Sequence, residues 1–540
     1  MNTIKPIYIS AFALLILAGC GTTKQVVKTT DHVAITAPLN VHKKAPLTEM
    51  ELKRWSHLDI VNDTIPGMSV DRAYAELLKD KKGVPVIVGI VDSGVDIEHE
   101  DLKSVLWTNT KEIPGNGIDD DNNGYIDDIH GWNFLGDITK ENLEYERIIK
   151  DKSIADDATY QAAKATNDKK VAEAVMGKSR LEEMLAAIKE GDAVLVKHFG
   201  KPVYTIEDVK AITSKDAAVE KSKTVMQRML SFGLPVAELK EAIEKDLEDS
   251  KALVSGENLK TDYRKVLVDN PNDIKDVKYG NNNVMGPDKK EILHGTHVAG
   301  IVAQSRHNDL GGDGVANNVQ ILTVRAVPDG DEYDKDIALG IRYAVDNGAK
   351  VINGSFGKSF SPHKQWVYDA IKYAESKDVL FVHAAGNDAK DIDYADNYPT
   401  DADDKKTEYA DNVITIGALN YEYGDKVVAR FSNIGKINVD VFAPGVQIYA
   451  TTPNNTYQYL QGTSMAAPNV AGVAALIRSY YPKLSAKQVK QILMDSGVAI
   501  TTNVIVGGKA NDTRPFTVLS KSGKIVNAYN ALLMAEKMSK

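Results

Sequence analysis

The stretch "VPVIVGIVD", Val84 to Asp92, is a run of mostly β-branched residues that ends in a carboxylate. Its positions are apolar on both alternating faces, a pattern typical of a strand buried inside a parallel sheet. Similar runs, each bounded by Gly, Pro or Asp, follow along the chain, beginning at Val319, Ala349, Val379, Asn412 and Val439. Helix patterns lie between them, for example at residues 336–346 and 364–376. The alternation predicts a three-layer α/β fold, a mainly parallel sheet flanked by helices.

Residues 135–290 interrupt this alternation with a segment rich in Ala, Lys and Glu. Apolar residues recur there at the three- and four-residue spacing of amphipathic helices. Two sets each share one helix face, namely Leu181, Leu185 and Ile188, and Val236, Leu239, Ile243 and Leu247. We therefore expect a large helical insertion at 135–290, within a domain formed by residues 51–134 and 291–540.

The composition is that of an ordinary globular protein, with 43% hydrophobic and 26% charged residues in a chain of 540. The formal net charge is -10, and no basic patch suited to nucleic acid is apparent. We expect no nucleic-acid partner.

The first residues look like a targeting segment. Lys5 precedes an apolar run from Ile7 to Leu17, which ends in "LAGC" at Cys20, the only cysteine of the chain. The run is too short to span a bilayer, and residues 1–20 are typical of a signal peptide. "LAGC" resembles the bacterial lipobox, which implies lipid modification of Cys20; the alternative is an ordinary signal peptide with a chance cysteine.

The polar residues 21–50 then indicate a flexible tether. We expect an extracytoplasmic protein, lipid-anchored to a bacterial membrane at its periplasmic face or at the cell surface. Because the space between Cys20 and Val84 is short, we expect little or no cleavable propeptide.

Four residue types suited to nucleophilic catalysis occur at the edges of these elements. Asp92 ends a strand, where ligand and catalytic groups of α/β sheets collect, and Asn387 follows another strand in "AAGN". His294 begins "HGTHVAG", and Ser464 lies in "GTSMAAP" at the start of an apolar helix. Each residue alone has a structural reading: a cap or turn aspartate, a packed histidine, a Gly-Asn turn, or a helix contact. A metal at His294 and His297 is disfavoured because no third ligand accompanies them, so we expect His297 to be packed in the core.

Taken together and in this order, "VDSG", "HGTHVAG", "INGSFG", "AAGN" and "GTSMAAP" resemble the motifs of the subtilisin-like serine peptidases. The resemblance implies a subtilisin-like fold and a catalytic triad of Asp92, His294 and Ser464. It also implies that Asn387, together with the backbone N–H of Ser464, binds the oxyanion. Ser355, Phe356 and Gly357 match the segment that pairs with an extended peptide substrate. Lys358 departs from the family pattern, in which a second glycine is usual.

A loop rich in carboxylates, "GNGIDDDNNGYIDD", spans residues 115–128. Asp119, Asp121 and Asn123 alternate before a glycine, as in the first half of an EF-hand loop, and hard oxygen ligands suit Ca²⁺. Asp127 adds a carboxylate, but position twelve is His130 where an EF-hand has Glu. The alternative is a solvated acidic turn.

The resemblance implies a second structural calcium site. Asp101 aligns with an aspartate that binds calcium in the family, and Asn308 is the ligand expected from the partner loop. We expect calcium to be a structural cofactor at one or both places, where binding would stabilise the fold by mass action.

These features favour a secreted, lipid-anchored serine endopeptidase that acts on proteins and peptides through an acyl-enzyme intermediate. Two other functions stay open. One is a binding or scaffolding lipoprotein that recognises a partner through the insertion 135–290. The other is an esterase, because the same triad can cleave activated esters.

Overall fold

The computed structural model describes residues 34–36, 43, 45–231 and 234–540. Cys20, the proposed signal segment 1–20 and most of the tether 21–50 lie outside the described residues. The strands are β1 (Val86–Asp92), β2 (Gly131–Asn133), β3 (Val319–Arg325), β4 (Val351–Gly354), β5 (Leu380–Ala384), β6 (Val413–Leu419), β7 (Val441–Pro444), β8 (Ile448–Thr452), β9 (Thr456–Leu460), β10 (Val498–Ala499), β11 (Asn503–Ile505), β12 (Thr513–Pro515) and β13 (Lys524–Ile525).

The central sheet has the order β10-β13-β7-β6-β5-β4-β1-β3-β2. All of its neighbours are parallel except β10 and β13, which pair antiparallel at the edge. The strand that opens with Val86 lies near the middle, with Val88 opposite Ile321 on one side and Val351 on the other. Two short antiparallel pairs, β8 with β9 and β11 with β12, lie outside this sheet.

The α-helices are α1 (Glu49–Arg54), α2 (Val70–Ala73), α3 (Glu144–Lys150), α4 (Asp157–Phe199), α5 (Ile206–Lys210), α6 (Ala217–Leu230), α7 (Val236–Ser255), α8 (Leu293–Ala303), α9 (Asp334–Asp346), α10 (Lys364–Ser376), α11 (Thr463–Tyr480), α12 (Ala486–Asp495) and α13 (Ala528–Met538). Within the described ranges, no helix combines the length and the apolar character needed to cross a membrane.

The sheet separates two hydrophobic clusters. Alternate residues of each strand point to opposite faces, so Val88 and Ile90 join the cluster with α8, α11, α12 and α13, whereas Val91 joins the one with α9 and α10. Leu380 and Phe381 divide between the two faces in the same way. The predicted three-layer α/β fold is confirmed.

The helices between residues 135 and 290 have a hydrophobic cluster of their own. Leu185 and Ile188 of α4 pack with Met226 of α6 and with Leu239 and Ile243 of α7. Helix α4 has 43 residues, which makes it roughly 64 Å long at 1.5 Å per residue. The Asp156 carboxylate caps its first turn by accepting from the Thr159 N–H. The helices and apolar stripes predicted for this segment are confirmed.

Helix α11 contains a proline near its start, at Pro468. Because proline has no N–H, the carbonyl of Ser464, four residues earlier, has no helical donor. The Ser355 hydroxyl, which follows β4, donates to this carbonyl at 2.9 Å. The exception in the helix ladder thus ties the first turn of α11 to the end of a central strand.

Candidate active site

Asp92 and His294 meet at the carboxyl end of β1, although they are 202 residues apart in sequence. The Nδ1 atom of His294 lies 2.7 Å from Oδ1 of Asp92. An ionised carboxylate only accepts hydrogen bonds, so the proton lies on Nδ1 and the other ring nitrogen, Nε2, is free to act as a base. The aspartate side chain is 1% exposed and the histidine 37%, so the imidazole reaches solvent while the carboxylate does not.

A glycine allows this approach. A Cβ at Gly295 would lie 2.1 Å from the carbonyl oxygen of Gly94 and 3.1 Å from Asp92 Oδ1. Only glycine lets the first turn of α8 come so close to the loop after β1. The glycine that follows His294 in the motif therefore has a packing role next to the Asp92–His294 pair.

The histidines of this region differ in electrostatic environment. Burial disfavours the imidazolium of His294, but the charge of Asp92 and its hydrogen bond outweigh that effect and raise the pKa of His294 above 6.5. Burial lowers the pKa of His297 to about 4. His297 is 0% exposed, and its Nε2 lies 3.1 Å from the carbonyl oxygen of Gln458. The prediction that His297 is a packed core residue is confirmed.

Ser464 lies in the first turn of α11, partly exposed. Its hydroxyl donates to the carbonyl oxygen of Ser355 at 3.3 Å, and within the described residues it makes no hydrogen bond to His294. In this rotamer the hydroxyl points to the segment after β4. A hydrogen bond from the Ser464 hydroxyl to His294 Nε2 would require rotation of the serine side chain. Catalytic hydrogen bonds often tighten only when substrate binds.

Asn387 is exposed, but the orientation of its amide is fixed. Its Oδ1 accepts from the backbone N–H of Thr463 at 2.8 Å and from the Thr463 hydroxyl at 2.9 Å. Both acceptor bonds go to the carbonyl side, so the amide NH₂ faces the opposite way. The role of Thr463 was not predicted from the sequence, although it lies inside the motif that contains Ser464.

Two nitrogen donors lie close to one point beside Gly462. A Cβ built on this glycine would lie 3.5 Å from Nδ2 of Asn387 and 3.5 Å from the backbone nitrogen of Ser464. The N–H groups of a first helical turn have no acceptor within the helix, and the helix dipole adds positive potential there. Gly462 has φ +153°, a region that favours glycine. The two donors are therefore close enough to each other to bind one oxygen that carries negative charge.

The segment Ser355 to Gly357 follows β4 and adjoins the Ser464 region. The Phe356 carbonyl oxygen lies 2.9 Å from Nε2 of the buried His383. A Cβ at Gly357 would lie 3.3 Å from Oδ1 of Asn397, and the same oxygen lies 3.2 Å from a Cβ at Gly386. Asn397 thus stands between the segment after β4 and the loop that presents Asn387.

Lys358, the position that departs from the family pattern, is buried. Its side chain is 2% exposed, and its Nζ lies 2.6 Å from Oε2 of Glu144 and 2.9 Å from Oδ1 of Asp334. Its backbone exchanges two hydrogen bonds with Tyr398, at 3.1 and 2.8 Å. Glu144, which lies 214 residues away in α3, was not predicted from the sequence.

The acidic loop brings three carboxylates together: those of Glu112, Asp119 and Asp121, with one oxygen of each within 4.8 Å of the others. Asn123 lies beside them and accepts from the Tyr125 N–H through Oδ1. The Asp127 carboxylate is outside this group and accepts from the backbone N–H groups of residues 115, 116 and 117. Glu112 was missed from the sequence because it precedes the alternating pattern.

Asp101 and Asn308 also lie together. The Asn308 amide donates to Asp101 Oδ1 at 2.6 Å. The second oxygen, Asp101 Oδ2, is buried, and the buried Tyr457 hydroxyl interacts with the same carboxylate. Burial raises the pKa of the Asp101 carboxyl.

Comparison with known proteins is consistent with this arrangement of a parallel sheet and strand-end polar residues. Residues 83–520 match the model of the Subtilase family, which is most of the chain. The chain belongs to the subtilase family.

Three relatives show the extent of the similarity. The thermophilic serine proteinase of Bacillus sp. (strain AK1) is 44% identical over 187 residues, 34% of this chain and 42% of that protein. Subtilisin DY of Bacillus licheniformis is 38% identical over 222 residues, 40% of this chain and 73% of that protein. Subtilisin-like protease 1 of Plasmodium falciparum is 34% identical over 305 residues, 52% of this chain and 42% of that protein.

Among solved structures, a protease from Pseudoalteromonas arctica PAMC 21717 aligns with 45% of this chain and 70% of its own, at 32% identity and a TM-score of 0.36.

Proposed function

We propose that the protein is a serine endopeptidase in which Asp92, His294 and Ser464 form the triad. The observation that carries the proposal is the 2.7 Å bond between Asp92 Oδ1 and His294 Nδ1, which leaves Nε2 as the base. After rotation of its side chain, the Ser464 hydroxyl gives its proton to Nε2 as Oγ attacks the peptide carbonyl. Asp92 orients the ring and stabilises the imidazolium without taking the proton.

The proposed reaction is an acyl transfer to Ser464 followed by hydrolysis. The carbonyl oxygen gains negative charge in the space beside Gly462, where Asn387 Nδ2 and the Ser464 N–H donate to it. When the C–N bond breaks, His294 returns the proton to the leaving amine and Ser464 carries the acyl group. A water molecule, deprotonated by His294, then hydrolyses the ester and restores the serine.

Proteins and peptides are the proposed substrates. An extended peptide would pair with the backbone of Ser355 to Gly357, and this mode of binding reads mainly the main chain. Names such as serine proteinase and subtilisin among the relatives support the same class of substrate. We propose broad cleavage of unfolded polypeptide.

Reaction with a fluorophosphonate probe tests the nucleophile. The wild type should carry the label on Ser464, located by mass spectrometry of peptides, and Ser464→Ala should carry none. A control substitution at the exposed Asp388→Ala should label normally. Labelling of Ser464→Ala equal to that of the wild type would show that Ser464 is not the nucleophile. Hydrolysis of esters without hydrolysis of peptides would favour the esterase.

Calcium is the proposed structural cofactor, and two donor sets fit it. Glu112, Asp119 and Asp121 offer hard oxygen ligands and three negative charges within one group. Asp101 offers a carboxylate whose Oδ2 is buried, and the Asn308 side chain, whose Oδ1 now accepts from the Leu310 N–H, would have to rotate to present a second oxygen to the same ion. Calcium binding at either place would stabilise the folded state.

Thermal melting with and without a chelator tests calcium. We expect the midpoint to fall on chelation and to recover when Ca²⁺ is added in excess. Asp121→Asn should reduce the response to the chelator, whereas the exposed Asp80→Asn should not. A midpoint independent of the chelator would argue against both sites.

We also propose that Cys20 carries a lipid anchor and that the protein lies outside the cytoplasm, bound to a bacterial membrane. The proposal rests on "LAGC" and on the apolar run before it. Metabolic labelling with a fatty acid should mark the wild type and not Cys20→Ser, and the wild type should sediment with membranes. Absence of label from the wild type would exclude the anchor.

A further inference from the structure

Helix α3 begins the helical segment, and its polar side chains turn inward to the peptidase core. Glu144 and Arg147 are 2% and 5% exposed. Arg147 bonds to Glu144 and donates to the carbonyl oxygens of Asp331 and Glu332 at 2.8 and 3.0 Å. Its guanidinium lies 3.8 Å from the ring centre of Tyr333. Charged groups are buried only where partners compensate them. Here the partners come from the helical segment and from the peptidase core.

Glu144 is the carboxylate that joins this cluster to the segment after β4. One oxygen, Oε2, accepts from both Arg147 and Lys358. Lys358 also donates to the carbonyl oxygen of Glu332 at 2.7 Å, so its ammonium is held on three sides. Charged hydrogen bonds in a dry environment are among the stronger polar interactions of a protein.

The same short segment touches the proposed nucleophile at its other end. Ser355 accepts from the Ser464 hydroxyl and donates to the Ser464 carbonyl. Lys358 follows three residues later, at most about 11 Å of extended chain away. Between them lie Phe356 and Gly357, whose backbone is proposed to pair with substrate. A displacement of Lys358 therefore shifts the backbone that reads the substrate.

We infer that Glu144 and Lys358 are positioning residues, through which the helical segment holds the peptide-binding backbone of Ser355 to Gly357 in register with Ser464. The inference rests on the proposed endopeptidase function and gives the helical segment a role in substrate binding. The side chain of Lys358 is buried against α3, whereas its chain neighbours Gly357 and Ser359 are exposed. Binding of the substrate residues farther from the scissile bond then depends on Glu144 and Lys358.

A series of acyl-peptide p-nitroanilides with one, two, three and four residues before the scissile bond tests the role. In Glu144→Gln the KM for the four-residue substrate should rise about tenfold. Even a small displacement of the peptide-binding backbone is costly, because the substrate must be held in one position. The kcat/KM for the one-residue substrate and the rate of fluorophosphonate labelling should stay within about twofold of the wild type. The matched control is Glu182→Gln, an exposed glutamate on α4.

Further variants keep the test decisive if Glu144→Gln folds poorly. Glu144→Asp retains the charge and should give an intermediate KM for the long substrate. Glu144→Gln combined with Lys358→Met removes the charge of both members of the pair and should show the same dependence on substrate length as Glu144→Gln alone.

Two results would overturn the inference. One is a KM in Glu144→Gln that matches Glu182→Gln for every substrate length. The other is an equal loss for all substrates and for the probe, which would mean a general structural role. If the wild type itself neither labels nor cleaves peptides, the proposed function fails; if it does both and the variants do not differ by length, only the positioning role fails.

Discussion

The region around Asp92 and the helical region between residues 135 and 290 are held together in different ways. In the first, contacts join residues far apart in sequence, such as His294 with Asp92 and Asn387 with Thr463. In the second, α4, α6 and α7 pack through stripes of apolar residues with exposed charged faces. A loss of one contact should therefore affect chemistry in the first region and local stability in the second.

Among the residues that support the nucleophile and the base, the largest effect is expected at Asp92. Asp92→Asn keeps the shape of the side chain but favours the wrong tautomer of His294, and kcat should fall roughly 10⁴-fold. Asp80→Asn, on an exposed surface, should leave kcat unchanged. Peptide hydrolysis under saturating substrate is the measurement, and a loss below about tenfold would contradict the proposed role of Asp92.

Asn387 comes next. Asn387→Leu removes one donor to the oxyanion, so kcat should fall by about 10²–10³ while KM changes little. The neighbouring Asp388→Ala is the control and should keep kcat within about twofold. A change confined to KM would mean that Asn387 binds substrate without stabilising the transition state.

The pH dependence of kcat/KM is a smaller effect. The base must be neutral, and Asp92 raises the pKa of His294 above 6.5. Activity should therefore rise with pH, and the midpoint of its acid limb should lie above 6.5. Melting curves across the same pH range control for unfolding. A midpoint below 6.5, which burial without Asp92 would give, would contradict the assigned pairing.

The smallest effect on activity is expected inside the helical cluster. Leu185→Ala leaves a cavity between α4, α6 and α7 and should destabilise these helices by about 2–5 kcal/mol. Hydrogen exchange should increase in these helices, while the kcat/KM for a one-residue substrate stays within about twofold. Val175→Ala, at a side chain 54% exposed, is the control. A tenfold loss of activity in Leu185→Ala would show that the two regions are coupled through the cluster as well as through Glu144.

The two regions also differ in what could be predicted from the sequence. Strands such as Val86–Asp92 and helices such as α7 follow from local hydrophobic periodicity, which the sequence shows directly. The subtilase family could be predicted from its motifs. These motifs are recognisable in the sequence because close contacts between segments require particular residues, such as Gly295.

Other features have no local signature. Glu112 precedes the alternating carboxylates that mark the acidic loop, and only folding brings it to Asp119 and Asp121. Glu144 looks like a surface residue at the start of a helix, yet it is buried against Lys358. The serine at position 355 completes the hydrogen bonding that Pro468 leaves unfilled, and this too depends on the packing of α11 against β4.

The most direct test of the account is the kcat/KM for one peptide substrate in Ser464→Ala, His294→Ala and the double variant. Residues that act as one unit do not contribute independently, so each single variant should lose on the order of 10⁶-fold and the double variant no more than that. Losses that multiply in the double variant, or activity in His294→Ala within about tenfold of the wild type, would contradict a concerted serine and histidine.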